Sequence, residues 1–350
     1  RPPSGGLPTA RNISVAGSGT VAVNAAFTGN VITNTVATAI DDATVTATAG
    51  SLTMTTDSKA GIISATVGVG AAGTVAVNAT GFGNVITNTV SSAITGGSLV
   101  TTGTDATLSA TDDSSIASVG LSVAASGTVS VGVIIGANVI TNSVITQIAG
   151  STVDSGGGVS LAAVSESTIL GFAGGVAASG VVGVQLTLAA NVITNTTEAS
   201  INNRTFDENG DVVDGVTAAS AVTAVGDVTL SASDTSTIDA LAFGVSGAGA
   251  VAVGGALTAN VITNDISTAV DGSTVDADGL VELTSESGSV IRSLNVGVSG
   301  SGCVSVQVTA QGNVITNSVT ADITGSTVTG DAGVSLSASD MAPAAVPALN

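Results

Sequence analysis

The sequence predicts an all-β fold, a repetitive β-solenoid of six repeats of about 54 residues, and three observations carry that expectation. The pentapeptide Asn-Val-Ile-Thr-Asn occurs six times, beginning at Asn30, Asn84, Asn138, Asn191, Asn260 and Asn313, at spacings of 54, 54, 53, 69 and 53. Side chains around it alternate with period two, the signature of strands rather than helices. All five prolines (Pro2, Pro3, Pro8, Pro343 and Pro347) are terminal, as a sheet interior requires of a residue that cannot donate to a ladder.

Each repeat reads in the same order. A glycine stands eleven residues before every pentapeptide: Gly19, Gly73, Gly127, Gly180, Gly249 and Gly302. The pentapeptide strand then places Asn30, Ile32, Asn34, Val36, Thr38 and Ile40 on one face and Val31, Thr33, Thr35, Ala37 and Ala39 on the other. A Ser-Thr-Val exit follows, as at Ser151-Thr152-Val153 and Ser273-Thr274-Val275, and then a strand such as Val228 to Ser233. The 69-residue spacing marks one insertion, about 202–220, which in a repeat protein maps to a loop on one face. The expected organisation is an N-terminal junction over 1–12, one continuous repeat body over 13–340, and a C-terminal junction over 341–350. A first residue of Arg with no visible leader is what a piece of a longer product would show.

A repeat that cannot bury its apolar face alone is sealed by stacking on its neighbours. We expect two coils of about 27 residues per repeat, a rise of roughly 58 Å over six repeats at about 4.8 Å per rung. An inward Asn is costly to bury unless its amide is paired, and stacked Asn side chains can bond one another rung to rung. One such ladder is expected along Asn30, Asn84, Asn138, Asn191, Asn260 and Asn313. A second is expected along Asn34, Asn88, Asn142, Asn195, Asn264 and Asn317. A ladder in which like meets like on adjacent rungs favours one coil per repeat, so the two arguments pull apart. A turn role for these Asn is the alternative.

Composition narrows the function. Val, Ala and Ile supply most of the apolar content, which is too high for a disordered chain. The net charge of −20, with Lys59 the only lysine, argues against nucleic acid and anionic membrane surfaces as partners. The uncharged stretch from Ile169 to Ala190 recurs in every repeat, and a membrane barrel would want aromatic girdles, so no membrane span is expected.

Catalysis is not expected. There is no His, which removes the commonest general base. Asp41/Asp42 and Asp112/Asp113 are the candidate carboxylate pairs, both read as turns. Cys303 takes a position held by Thr or another small residue in other repeats, so it reads as a packed side chain that forms no intramolecular disulfide. No cofactor is required, and calcium is the one candidate: Asp207, Asn209, Asp211 and Asp214 resemble the start of an acidic calcium loop. Gly210 is one residue early for that motif and no Glu follows at its twelfth place, so a polar hairpin with an Asn209-Gly210 turn is the competing reading.

The pattern G-x-V-x-V, then N-x-I-x-N-x-V, then S-x-V and V-x-L-x-A resembles the β-strand repeats of large bacterial filamentous adhesins, of the haemagglutinin-like and leukotoxin types. The likeness runs from about 13 to 340 and is one of repeat grammar. It implies export to the cell surface or exterior, a solenoid stalk, and adhesion or fibre formation. The expected partners are further copies of the chain, stacked end to end, and a host or neighbouring-cell surface. The alternatives are an adhesive module using the 202–220 loop, an ice- or surface-binding array on the Thr33, Thr87, Thr141, Thr194, Thr263 and Thr316 ladder, and a polysaccharide-acting enzyme.

Overall fold

The computed structural model describes residues 7–206, 212–216 and 218–341. Each coil consists of a long strand, a two-residue turn, a second long strand, a corner and a short strand. The first coil is β1 (Thr9–Ser18), β2 (Val21–Asp41) and β3 (Thr44–Ala47); the second is β4 (Leu52–Ala72), β5 (Val75–Thr95) and β6 (Leu99–Thr102). The third runs β7 (Ala106–Ser126), β8 (Val129–Ala149), β9 (Thr152–Ser155), and the fourth begins with β10 (Val159–Ser179) and β11 (Val182–Asn202). There a hairpin, β12 (Arg204–Phe206) and β13 (Val212–Val216), interrupts the path before β14 (Ala221–Ala224). The last two coils are β15 (Val228–Ala248), β16 (Val251–Asp271), β17 (Thr274–Ala277), then β18 (Leu280–Ser301), β19 (Val304–Thr324), β20 (Thr327–Gly330). A final strand, β21 (Gly333–Asp340), starts another turn. The first described strand begins at Thr9.

Stacking puts every strand against its counterpart one repeat away, all parallel. Three sheets result: β1-β4-β7-β10-β15-β18-β21, β2-β5-β8-β11-β16-β19 and β3-β6-β9-β14-β17-β20. Asn84 lies beside Asn138, and Asn191 beside Asn260 across the 69-residue spacing. The hairpin loops out of the wall without shifting the register. One 53- or 54-residue repeat is thus one coil. The expected two coils per repeat are wrong, and six coils rise about 29 Å, not 58 Å. Period-two alternation marks a strand and its faces, but not the length of the strand before the chain turns. Here it turns only after 21 residues.

The constant glycine offset has a packing cause. A Cβ on Gly127 would overlap the carbonyl oxygen of Gly73, and one on Gly180 that of Gly127, because the turns of successive coils nest directly. We expect Gly127→Ala to lower stability by about 1–3 kcal/mol, the usual cost of forced overpacking, measured by urea unfolding; Gly300→Ala, on β18 where a Cβ meets nothing within 4 Å, is the neutral control. The opposite corner uses left-handed backbone at Gly150, Gly272 and Gly325, with φ of 57°, 56° and 60°. The Ser-Thr-Val exit is a stacked cap: the Ser98 N–H donates to Ser151 Oγ at 3.2 Å and the Ser273 N–H to Ser326 Oγ at 3.0 Å.

Candidate functional site

Inward side chains of the two long sheets meet as layers that run the length of the stack. Nearest the short strands is an apolar cluster including Leu108, Leu161, Val144, Ile148 and Val153. An Ile layer follows, with Ile86, Ile140, Ile193 and Ile262 all fully buried against Ile116, Ile169 and Ile238. Polar layers lie on either side of the Ile layer, one for each Asn of the pentapeptide.

The first layer is the expected amide ladder. Asn30 Nδ2 donates to Asn84 Oδ1, Asn84 to Asn138, Asn138 to Asn191, Asn191 to Asn260 and Asn260 to Asn313, each at 2.8 Å. An amide carries both donor and acceptor, so identical residues satisfy one another rung after rung. The ladder has a direction: its acceptor end is Asn30 and its donor end Asn313. Asn138 spends its other N–H on Ser118 Oγ at 2.8 Å, and Asn313 does the same with Ser293 at 2.9 Å.

The second layer is built differently from the expected side-chain ladder. Here the side-chain oxygen accepts from a backbone: the Asn88 N–H donates to Asn142 Oδ1, the Asn142 N–H to Asn195 Oδ1 and the Asn195 N–H to Asn264 Oδ1, at 3.1, 3.2 and 3.1 Å. That leaves the amide N–H groups to reach across the core. Asn88 and Asn142 both donate to Asp112, at 2.9 and 2.7 Å, and Asn195 and Asn264 both donate to Asp234, at 2.9 and 2.5 Å. Ser114 and Ser236 add hydroxyl donors at 2.6 and 2.7 Å. Each buried carboxylate thus serves two Asn from adjacent coils.

Asp112 therefore does not sit at a turn, as the sequence reading had it. It lies mid-strand in β7 facing inward, while Asp113 faces out and pairs with Lys59. Along this column the residues in register are Ser58, Asp112, Ser165, Asp234, Ser287 and Asp340, Ser and Asp in strict alternation. The cause is electrostatic: carboxylates on adjacent rungs would stand about 4.8 Å apart in the core, where like charges repel strongly. A Ser between them doubles the separation. Burial pushes the Asp112 carboxyl above the ordinary range, with Ser114, Ser58 and Asn88 pulling it down; burial raises Asp234 likewise, opposed by Ser236, Asn195 and Ser165. The sequence did carry a signal for this column, since each of Ser58, Asp112, Ser165, Asp234 and Ser287 lies 26 residues before a pentapeptide.

Among the described residues the layers are uncovered at both ends. Ile315 is 45% exposed where Ile262, one rung inward, is fully buried, and Leu336 is 45% exposed against 0% for Leu283. The seven-stranded sheet is stepped rather than flush. At the first coil β1 pairs only with Ile63–Ala72 of β4, so among the described residues Leu52–Lys59 has no strand on that side. At the last coil β21 pairs with Leu280–Ser287 of β18, and among the described residues Ser289–Ser301 has no strand on that side. No family model, curated protein or solved structure matches the chain.

The remaining candidates are placed as follows. Cys303 is exposed at the β18–β19 turn and not packed, because the glycine turn column lies on the outer rim. Asp41 closes β2, accepting from Thr95 Oγ1 at 2.8 Å, and Asp42 holds a left-handed φ of 46°. Of the calcium candidates, Asp207, Asn209 and Asp211 and the side chain of Asp214 lie outside the described residues. The strands flanking them form the antiparallel hairpin. Beside its base is a groove of about 260 Å3 lined by Glu198, Ser200, Arg204, Asp271 and Asp322. Arg204 pairs with Asp271 at 2.7 Å. Burial pushes the Glu198 carboxyl up, partly offset by Ser200 and Arg204. The Thr33 ladder is in register on the outer face of its sheet, but the column two residues on is broken by Asp265.

Proposed function

We propose that this chain is a structural element of an extracellular or cell-surface fibre, non-catalytic, that adds copies head to tail. The repeat stacking carries the reading, because every coil presents the next with the same parallel strand edge and the same inward layers. β21 has the register of Ser51–Ser58 and β1 that of the outer half of β18. Two copies set end to end would therefore join the half-strands β21 and β1 into one full rung, filling both steps in the sheet. The interior supports the same joint. Asn313 at the donor end meets Asn30 at the acceptor end, and the exposed Ile315 is covered by Ile32. Asp340 already accepts from Asn317 at 3.3 Å, and at the joint it meets Asn34 as Asp112 meets two Asn within one copy. In that joint Ser58 of the next copy follows Asp340, and the Ser/Asp alternation is kept. Such a contact is heterologous and propagates without closing, which makes a filament. The resemblance to filamentous adhesin repeats points the same way. The hairpin and the acidic groove beside it favour a second role, as a lateral attachment module on the stalk.

Opposite-end variants test this. In sedimentation velocity and negative-stain images the unsubstituted protein is expected as filaments. Ile32→Asp and Ile315→Asp, each with one blocked end, are expected to form no end-to-end joint when alone and to join end to end when mixed. Filaments from either variant alone, or a mixture with no species larger than those of the separate variants, would overturn the head-to-tail assignment.

A further inference from the structure

The charges are segregated within each coil. Six stretches carry none at all: 12–40, 60–104, 114–153, 167–197, 240–264 and 293–321, and each spans a glycine turn. On the outer face of the β2-β5-β8-β11-β16-β19 sheet, this uncharged half is apolar in columns. Val21, Val75, Val129, Val182, Val251 and Val304 stand side by side, and the columns beginning at Val23 and Val31 are likewise Val in all six strands. Between the Val ridges runs a trough of about 590 Å3, floored by Ala137, Ala190 and Ala259 and walled by Ile135, Leu188 and Leu257. Ile135 is 54% exposed, as are Val304 at 51% and Val308 at 52%. Six strands at about 4.8 Å and eleven residues at about 3.3 Å give a face of roughly 1,000 Å2, whereas the largest apolar patch on a typical monomer is about 300–600 Å2.

We propose that this face pairs with the same face of a second copy, joining two solenoids side by side. The area matches what a stable pair needs, about 800 Å2 from each partner. Flat sheets of β-branched side chains pack face to face at about 10 Å, and a two-fold arrangement sets the Leu188–Leu257 ridge of each copy into the trough of the other. Charge selects the half of each coil that carries this face. A protein of net charge −20 meets a like copy with least repulsion through its uncharged half, which keeps the acidic edges apart. A bilayer fits less well: Trp and Tyr anchors are absent and the acidic half is repelled by anionic headgroups.

The pairing uses a different surface from the end joint, so it is tested in Ile315→Asp, where head-to-tail growth is blocked at one end. In sedimentation equilibrium at micromolar concentration this protein is expected to be a dimer of the 32.8 kDa chain. Val131→Glu with Val184→Glu is expected to weaken the dimer about a hundredfold or more, with unchanged circular dichroism; Val123→Glu with Val245→Glu, on the opposite sheet, is expected to leave it intact. A capped protein that remains monomeric overturns the proposal without recourse to any face variant. So does a dimer that survives Val131→Glu with Val184→Glu, or a monomer that floats with zwitterionic phosphatidylcholine vesicles. Loss of filaments in the unsubstituted protein with retention of this dimer would sink the fibre reading alone.

Discussion

Asn138→Ala is expected to destabilise the solenoid by about 3–5 kcal/mol, among the largest effects of any single substitution here. Three buried groups lose partners together: Asn84 Nδ2 its acceptor, Asn191 Oδ1 its donor, and Ser118 Oγ a donor at 2.8 Å. Each such loss costs about 1–3 kcal/mol when the orphaned group stays dry, and the truncated amide leaves a cavity as well. Position along the stack sets the size of the effect. Asn30→Ala removes one donor at an end rung, from Asn84 alone, and is expected to cost about 1 kcal/mol. Urea unfolding of the two variants beside the unsubstituted protein measures the contrast, and equal losses would mean that the ladder does not act as a chain of paired amides.

The second large effect is at the buried carboxylates. Asp112→Ala removes the acceptor of Asn88, Asn142 and Ser114 at once and is expected to cost about 2–4 kcal/mol at neutral pH. Part of the loss of acceptors is offset because an ionised carboxylate no longer has to be buried. The same groups set a pH response of unusual sign. Asp112 and Asp234 titrate above the ordinary carboxylate range in the folded chain, so between that range and their raised values the native state holds more protons than the unfolded one. Their contribution to stability is therefore fully present below the unfolded value and is lost as pH rises through the folded value. Acidification from pH 7 toward pH 4 is expected to raise the melting temperature. Relief of repulsion among surface acids acts in the same direction, so the discriminating measurement is a comparison. Asp112→Ser with Asp234→Ser, which installs the residue natural to the alternate rungs, is expected to show a smaller rise. An identical pH profile for the two proteins would show that the buried pair does not titrate as described.

The alternation has a consequence for assembly. Because Asp112, Asp234 and Asp340 recur every second coil, the unit that repeats chemically is a pair of coils, although the backbone repeats with each one. Joints that place Asp340 next to Ser58 preserve this two-coil period, while a joint out of phase by one coil would set carboxylate against carboxylate. End-to-end growth of the kind proposed above would carry its own check on register, beyond the backbone hydrogen bonds that any parallel edge offers.

What the sequence determined by itself is the repeat and the side of the wall on which each residue falls. The pentapeptide, its glycine and the period of two were enough to put Asn30, Ile32 and Asn34 inside, Val31 and Thr33 outside, and to foresee the first amide ladder to the residue. Those features are local, or repeat at a fixed offset, and backbone sterics convert them directly into strand and face. The tertiary structure alone decided the number of coils per repeat, because alternation is the same in one long strand as in two short ones. It also decided which residues meet across the core. Asn88 finds Asp112, 24 residues away, only because β5 and β7, two 21-residue strands joined through the short corner strand β6, face each other across the core. A residue's neighbour along the stack is written in the repeat length, but its neighbour through the core is set by where the corners fall.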